Sequence, residues 1–569
     1  MEMLIRRGYF WQSFEIYGGI AGFIDYGPLG NGLRRNLEQL WRKFFVINER
    51  AIEIDTPTIG IEEVFIASGH VASFVDLAIE CKSCSRVFRA DHYIEEKLGI
   101  KVENDPKIIK EVIDSYNLKC ECGGEFKDPK PFNLMLITTI GPGKGKRGYL
   151  RPETAQGIFI SFKRLASYFR DKLPFAVAQI GRAYRNEISP RQGVIRLREF
   201  NQAELEVFVN PEEKNKHPEF DKYANTVITL IDKNDVKYEI TLKDAVDKGI
   251  IQHEYLAFYI GKTQEFLIEA GINKEKIRFR QHKDDERAHY AIDCWDAEVL
   301  TSFGWIEVVG IADRTDYDLK MHSKYSGEDL SIFIPYKEPK EIERLKIIPD
   351  IRKIGPKFKD KAKKIIEILE NYEVKDENIE KVVVSLNGNK IEITREYFKV
   401  KRVKEKIHGK KVIPHVIEPS FGLDRITYAI LEHAFDRDIV DGEERRVLRL
   451  KRWIAPVQAA VLPLLSKDPF ISKAKEIVSL LKRNGIFTEY DDSGSIGRRY
   501  RRFDEIGTPF CITVDHQTFE DDTVTIRDRD TTKQIRIKIE KLPQALKELL
   551  TSEKDISEYG PIFKEGIKS

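Results

Sequence analysis

Residues 175–209, FAVAQIGRAYRNEISPRQGVIRLREFNQAELEVFV, constrain the fold more than any other part of the chain. Two segments of alternating apolar and polar residues flank a loop containing Pro190, Arg191 and Gly193, the pattern of an antiparallel hairpin. Because strand side chains alternate between faces, Arg185 and Glu187 share one face. On the returning strand Arg198, Phe200, Gln202 and Glu204 share a face, with Leu205, Val207 and Val209 opposite. The bland alternative is a solvated surface laced with ion pairs, but a lone Phe between an Arg and a Gln is out of place there. A guanidinium fork suits phosphate and carboxylate oxygens. The ring can stack on a purine, and a carboxylate can accept a hydrogen bond from an exocyclic amine. The expectation is a nucleotide site on an antiparallel sheet. The sequence has no GxxxxGK[ST] and no strand-to-helix GxGxxG, so neither a P-loop nor a Rossmann cradle is indicated.

Three other patterns stand out. From residue 30 to 50, Leu33, Leu37, Leu40, Trp41, Phe44 and Phe45 fall at helical spacing, and the alternating AIEID then runs to a stop at Pro57. In EPSFGLDR, the small residues Ser420 and Gly422 permit close backbone approach, and Arg425 opens an apolar helix whose dipole favours anions. The competing reading pairs Arg425 with Asp424. Cys81-x2-Cys84 and Cys120-x-Cys122, the latter followed by Gly123-Gly124, supply four thiolates for a closed, structural zinc site. Four reduced, unligated thiols are the alternative. Cys294 and Cys511 read as small buried apolar residues.

Composition excludes several classes. With 95 Lys plus Arg, 93 Asp plus Glu and 41% hydrophobic residues, the chain has neither the charge imbalance nor the low hydrophobicity of disorder. Six Cys in 569 residues are too few for a disulfide scaffold, and no apolar run is long enough to span a bilayer. A multi-domain intracellular protein without a membrane segment is expected. The text divides into an interrupted core at 1–80, 149–209, 286–325 and 412–448. A Cys-rich insert occupies 81–148, a polar insert 210–285, a charged insert 326–411, and a separate α/β domain 449–569. In that last domain Arg498, Arg499, Tyr500, Arg501 and Arg502 combine charge with a stackable ring, as an RNA-binding surface does. A solvated basic helix face explains them equally well.

The helix ending at Pro57, Arg185-Asn186-Glu187 with its Arg198-Glu199-Phe200 return, and residues 422–425 resemble the three signature motifs of class II aminoacyl-tRNA synthetases. The strings RPETAQGIF, AHYAIDCWD, GIADRTDYDL, EPSFGLDR, DDSGSIGRRYRRFDEIGTPF and TVTIRDRD resemble the dimeric glycyl-tRNA synthetases in particular. The resemblance implies an α+β fold: an antiparallel class II sheet flanked by helices, a small zinc-binding insert, further inserts and a C-terminal α/β anticodon-binding domain. It implies a cytoplasmic homodimer, with residues 30–57 near the interface, that acts on ATP, glycine and tRNA(Gly) with Mg²⁺. By the same resemblance Arg185 and Glu187 hold the α-phosphate and the adenine amine, Phe200 stacks on adenine, and Arg425 contacts the terminal phosphate. Asn186, Ile195, Arg196, Leu197, Arg198, Glu199, Glu307, Val308 and Gly422 line the ATP site. Arg89, Glu153, Gln202, Glu204, Glu418 and Ser420 surround glycine, with Phe200 and Gly422 bordering it, and Glu307 and Glu418 are magnesium contacts. The resemblance tips the basic cluster toward tRNA and places the cysteine lobe beside the active site, because Arg89 follows it. Asp424 departs from the family, where a smaller residue is common. Two alternatives stay open: a non-catalytic binding protein on the same scaffold, and a class II synthetase for another amino acid.

Overall fold

A computed structural model describes residues 2–188, 190, 193–283, 291–372, 374, 376–386, 389–440 and 442–564. Outside them lie positions 189 and 191–192 of the hairpin loop. So do residues 284–290, where the sequence puts the boundary between the polar insert and the third core part and the first three residues of AHYAIDCWD. No helix among the described residues is long and apolar enough to cross a membrane.

The chain divides into two compact units: residues 2–330 joined with 413–564, and Ser331–Val412. The first is organised on a nine-stranded sheet. Its strands are β1 (Ile52–Glu53), β2 (Phe175–Tyr184), β3 (Glu199–Val209), β4 (Val227–Ile231), β5 (Lys237–Thr241), β6 (Ile277–Gln281), β7 (Asp293–Thr301), β8 (Gly304–Thr315) and β9 (His415–Gly422). The order across the sheet is β5-β4-β6-β7-β8-β9-β3-β2-β1. Neighbours run antiparallel except β4 with β6 and β2 with β1. Helices α1 (Pro28–Arg42), α2 (Glu254–Glu269) and α4 (Leu423–Ala434) cover one face, and α3 (Tyr317–Ser326) follows β8.

Local sequence explains these elements. Helix α1 begins at Pro28, whose fixed φ suits the first helical turn, and buries Leu33, Leu37, Leu40 and Trp41. The register β2–β3 pairs Phe175 with Phe208 and Tyr184 with Glu199. Alternation along β3 then sends Ala203, Leu205, Val207 and Val209 into the helix-covered core. Gln202, Glu204 and Glu206 point to the opposite face, and all three are buried. A polar row with two acids, facing away from the apolar core yet closed to water, is the first sign of a built site.

The polar segment 210–285 is not a separate module. Its strands β4, β5 and β6 extend the main sheet, and α2 is buried around most of its circumference. Its Lys/Glu-rich text conceals this because Lys262 is itself buried and paired with Glu49. By contrast, Ser331–Val412 is compact by itself. A long ribbon pairs Ile332–Pro349 with Phe398–Val412, and two helices and a second hairpin close a core around Ile354, Ile365, Leu369, Val382 and Val384.

The cysteine lobe starts earlier than residue 81. Its three-stranded sheet opens with Val75–Glu80, and the strand Lys130–Asn133 completes it. Residues 136–150 instead form a hairpin, Leu136–Ile140 with Lys146–Leu150, whose second strand pairs with Ile59–Ile61. After α4, the hairpin Phe435–Val440 with Glu443–Leu448 leads to a six-stranded C-terminal sheet flanked by helices Phe470–Arg483, Ile496–Glu505 and Leu542–Leu550.

Candidate active site

A cavity of about 440 Å³ opens on the sheet face opposite the helices, within the range of small-molecule sites. Of the residues singled out in the sequence, Glu153, Arg185, Glu187, Ile195, Arg196, Leu197, Phe200, Gln202, Glu204, Glu307, Val308, Glu418, Ser420, Gly422 and Arg425 line it. Strands β3, β8 and β9 supply most of these, so non-adjacent parts of the sequence meet through sheet register: Glu204 pairs with Ser420, and Gln202 with Gly422.

One end of the cavity is cationic. The Arg185 guanidinium lies 5.3 Å from the ring centroids of both Phe74 and Phe200. Arg425 Nε donates to the Ile195 carbonyl at 3.0 Å, and its Nη1 to the Glu307 carbonyl at 2.8 Å and carboxylate at 3.1 Å. It does not pair with Asp424. That carboxylate accepts from the Asn201 backbone N–H (2.6 Å), the Asn201 side chain (2.9 Å) and the Tyr26 hydroxyl (2.5 Å). Asp424 therefore ties β3 to the N-terminal segment and leaves Arg425 available to the cavity. Burial raises the Glu307 carboxyl, but Arg425 and then His282 outweigh it and hold it below its ordinary value.

The other end is anionic and built around a buried cation. Arg314, 1% exposed, donates to both Asp318 oxygens (2.8 and 3.0 Å), both Glu418 oxygens (2.9 and 3.0 Å) and Glu153 (3.4 Å). Glu204 accepts from the Thr154 backbone N–H at 2.7 Å, from the Thr154 hydroxyl, and from Ser420 Oγ at 2.8 Å. Burial pushes the Glu418 carboxyl upward and Glu204 and Glu153 add to the rise, while Arg314, donating to both its oxygens, opposes them and favours the carboxylate. Burial would also raise Glu153, but Arg314 and then His70 hold it well below the usual carboxylate range. The chamber is thus short of positive charge and suited to an ammonium group.

Several expected residues lie elsewhere. Arg198 is engaged by backbone: Nε and Nη2 donate to the Glu187 carbonyl at 3.1 and 2.8 Å, and Nη1 to that of Ala21 at 2.8 Å. It clamps the hairpin to the N-terminal segment, so it does not share the cavity face with Phe200. Glu199 pairs with Arg182, and Asn186 is also absent from the cavity wall. Arg89 binds Asp91 at 2.9 Å and Asp76 at 3.2 Å on the cysteine lobe, outside the chamber. That lobe reaches the cavity through Arg196, whose Nη1 is 3.1 Å from His92 Nδ1. The reading of Glu418 as a magnesium contact meets the Arg314 contacts instead, which occupy both its oxygens.

Sequence reasoning missed Arg314, Glu206 and a cavity wall of His282, Cys294 and Asp296. His282 Nε2 is 2.8 Å from Asp296 Oδ2. Cys294 lines the chamber rather than filling a core, whereas Cys511 is buried as expected. The alternation in CWDAE put Cys294 and Asp296 on one face and could have found them.

The four lobe cysteines are free thiols with Sγ atoms all within 4.8 Å of one another. Cys81–Cys122 and Cys84–Cys120 are 3.5 and 3.7 Å apart, near the ~3.8 Å edge of a tetrahedron with ~2.3 Å zinc–sulfur bonds and far beyond a disulfide bond. The Arg86 side chain, donating to its sulfur, lowers the Cys84 thiol to about 6.

In the C-terminal domain only Arg498 of the basic cluster is exposed. Arg499 is 1% exposed and donates to the carbonyls of Asp492 (2.8 Å), Gly494 (2.7 Å) and Pro463 and to Ser466 Oγ (2.7 Å). It holds the 492–494 loop and does not face a nucleic acid. Tyr500 bonds Thr513 at 2.6 Å, Arg501 the Val440 carbonyl at 3.0 Å, and Arg502 Asp491 at 2.7 Å.

An antiparallel sheet bearing an arginine–phenylalanine hairpin and a helix-start arginine defines a class II aminoacyl-tRNA synthetase core. Residues 142–434 match the family model described as the tRNA synthetase class II core domain (G, H, P, S and T), and residues 458–549 match an anticodon binding domain. The chain is 70% identical over 565 residues to the glycine–tRNA ligase of Archaeoglobus fulgidus, covering 99% of each protein. It is 53% identical to that of Methanocaldococcus jannaschii (97% of this chain, 98% of the relative) and 51% identical to that of Pyrococcus horikoshii (96% and 98%). The chain belongs to the glycine–tRNA ligase family.

Proposed function

We propose that this protein joins glycine to tRNA(Gly) in the cytoplasm, using ATP and passing through a glycyl-adenylate. One observation carries the reading: a single cavity has Arg185, Arg196, Arg425 and Phe200 at one end and buried carboxylates around Arg314 at the other. Phe200 takes the adenine face, and Glu187 accepts from its amine. Arg185 binds the α-phosphate, and Arg425 the terminal one. Glu153, Glu204 and Glu418 face glycine's ammonium group, which brings its carboxylate toward the α-phosphorus. That carboxylate attacks in line and pyrophosphate leaves. The terminal ribose hydroxyl of tRNA then attacks the adenylate, so no protein nucleophile is needed. The residues act by positioning and by stabilising developing charge. Mg²⁺ bound with ATP would neutralise phosphate oxygens, and Glu307 is the carboxylate placed to hold it. No amino acid is smaller than glycine, so crowding alone can exclude competitors.

Zn²⁺ fits the four lobe cysteines and would be structural. A homodimer is supported by the exposure of Phe14, Ile16, Tyr17, Ile20 and Ile47, five apolar side chains in the N-terminal segment. Arg498 is the residue of the basic cluster placed to meet tRNA. Amino-acid-dependent pyrophosphate exchange tests the central reading. Glycine should support exchange and threonine, proline and histidine should not, and Arg185→Ala should abolish it while the protein stays folded. Exchange that is absent with glycine, or near normal in the variant, would refute it.

A further inference from the structure

Glu206 is fully buried, two residues along β3 from Glu204, and does not line the cavity. Neither of its carboxyl oxygens has a hydrogen-bond donor. One oxygen of Glu206 lies within 4.8 Å of oxygens of both Glu204 and Glu418. The charged and titratable groups around it are Glu204 on β3, Glu418 on β9, Arg314 on β8 and Asp318 on α3. The cation among them, Arg314, already serves Asp318, Glu418 and Glu153. An ionised Glu206 would be a buried anion without a donor, facing two further carboxylates. Such a group takes up a proton instead of paying that penalty. Once protonated it becomes a donor, and the carboxylates beside it, with oxygens within 4.8 Å, are Glu204 and Glu418.

We propose that Glu206 is held as a neutral carboxylic acid whose O–H donates to the Glu204–Glu418 pair, making it the positioning residue for two carboxylates that face glycine's ammonium group. Burial, and then the charge of Glu418, push its carboxyl well above the ordinary range, in agreement with this geometry. The proposal deepens the glycine-site reading above and rests on it for the identity of the ligand.

Infrared difference spectra of the full-length wild type minus E206Q at neutral pH should show a protonated carboxylic carbonyl band that shifts in D₂O. In pyrophosphate exchange, E206Q keeps a neutral donor and should hold the glycine KM within about threefold of wild type. E206L loses the donor and should raise it about tenfold or more, with the ATP KM little changed. Absence of the band, or an E206Q variant as impaired as E206L, overturns the proposal. If E206L does not fold, the band and E206Q decide. Failure of wild type to exchange with glycine would sink the glycine reading, while the band would still report the protonation state of Glu206.

Discussion

At the scale of single residues, buried charges in this protein are answered individually. Asp313 on β8 accepts from Lys214 at 2.5 Å and lies 3.0 Å from His253 Nε2. Burial alone would raise its pKa, but those two partners lower it to about 2. A carboxyl depressed in the folded state stabilises the fold above its unfolded value of ~3.9. That contribution disappears as pH falls through about 2. Asp313→Asn should therefore lose on the order of 2 kcal/mol at neutral pH and flatten the acid limb of the stability curve. Denaturant melts between pH 2 and pH 7 would check this, and an unchanged acid limb would show that Asp313 is not the group responsible. Arg314 works on the same principle within the site, because one guanidinium gathers three carboxylates that would otherwise repel. Asp424 shows that a residue's neighbour in sequence need not be its partner: its carboxylate reaches 223 positions back to Asn201.

At the scale of elements, strand β3 separates two environments by alternation alone, with an apolar row packed on helices and a buried polar row of Gln202, Glu204 and Glu206 on the chamber side. The cysteine lobe has a small core of its own around Ile79, Phe88, Tyr93, Ile94 and Ile109. So small a core needs a clip, and four convergent sulfurs can supply one. Treatment with a zinc chelator should increase amide exchange in residues 75–133 before the main sheet responds. It should also raise the ATP KM severalfold, because Arg196 is steadied by His92. Hydrogen-exchange mass spectrometry with parallel exchange kinetics would test this, as would the metal content of protein purified without added zinc. Uniform protection across the lobe after chelation would count against a clip.

At the scale of the whole molecule, the catalytic sheet and the C-terminal domain are joined by buried ion pairs. Arg445, on the hairpin after α4, donates to Asp438 at 2.7 Å and to Asp504 of the C-terminal domain at 3.1 Å, and Asp504 also takes Arg527 at 2.8 and 3.0 Å. Asp504→Asn should cost roughly 3–5 kcal/mol, because it leaves the buried Arg527 guanidinium without its carboxylate partner and weakens that of Arg445. A melt in which that variant matches wild type would contradict this account. Cutting the chain at 448 would break the Arg445–Asp504 pair, so tRNA binding is better tested by a surface change. Arg498→Glu should weaken tRNA charging while leaving glycine-dependent pyrophosphate exchange unaltered, and equal losses in both assays would remove the tRNA assignment. The sequence alone determined what depends on local periodicity and residue chemistry: the hairpin, the helix entering β1, the convergent cysteines, and the residue types needed for a nucleotide and an ammonium group. It also exposed the charged module near 326–411, which the structure bounds at Ser331–Val412. Only the tertiary structure decided that 210–285 extends the sheet, that Arg198 and Arg499 serve backbone carbonyls, and that Arg314 and Glu206 stand behind the chamber. The physical reason is that a charged side chain carries no mark in the sequence of whether water or a buried partner will satisfy it. That choice is made when distant strands come into register.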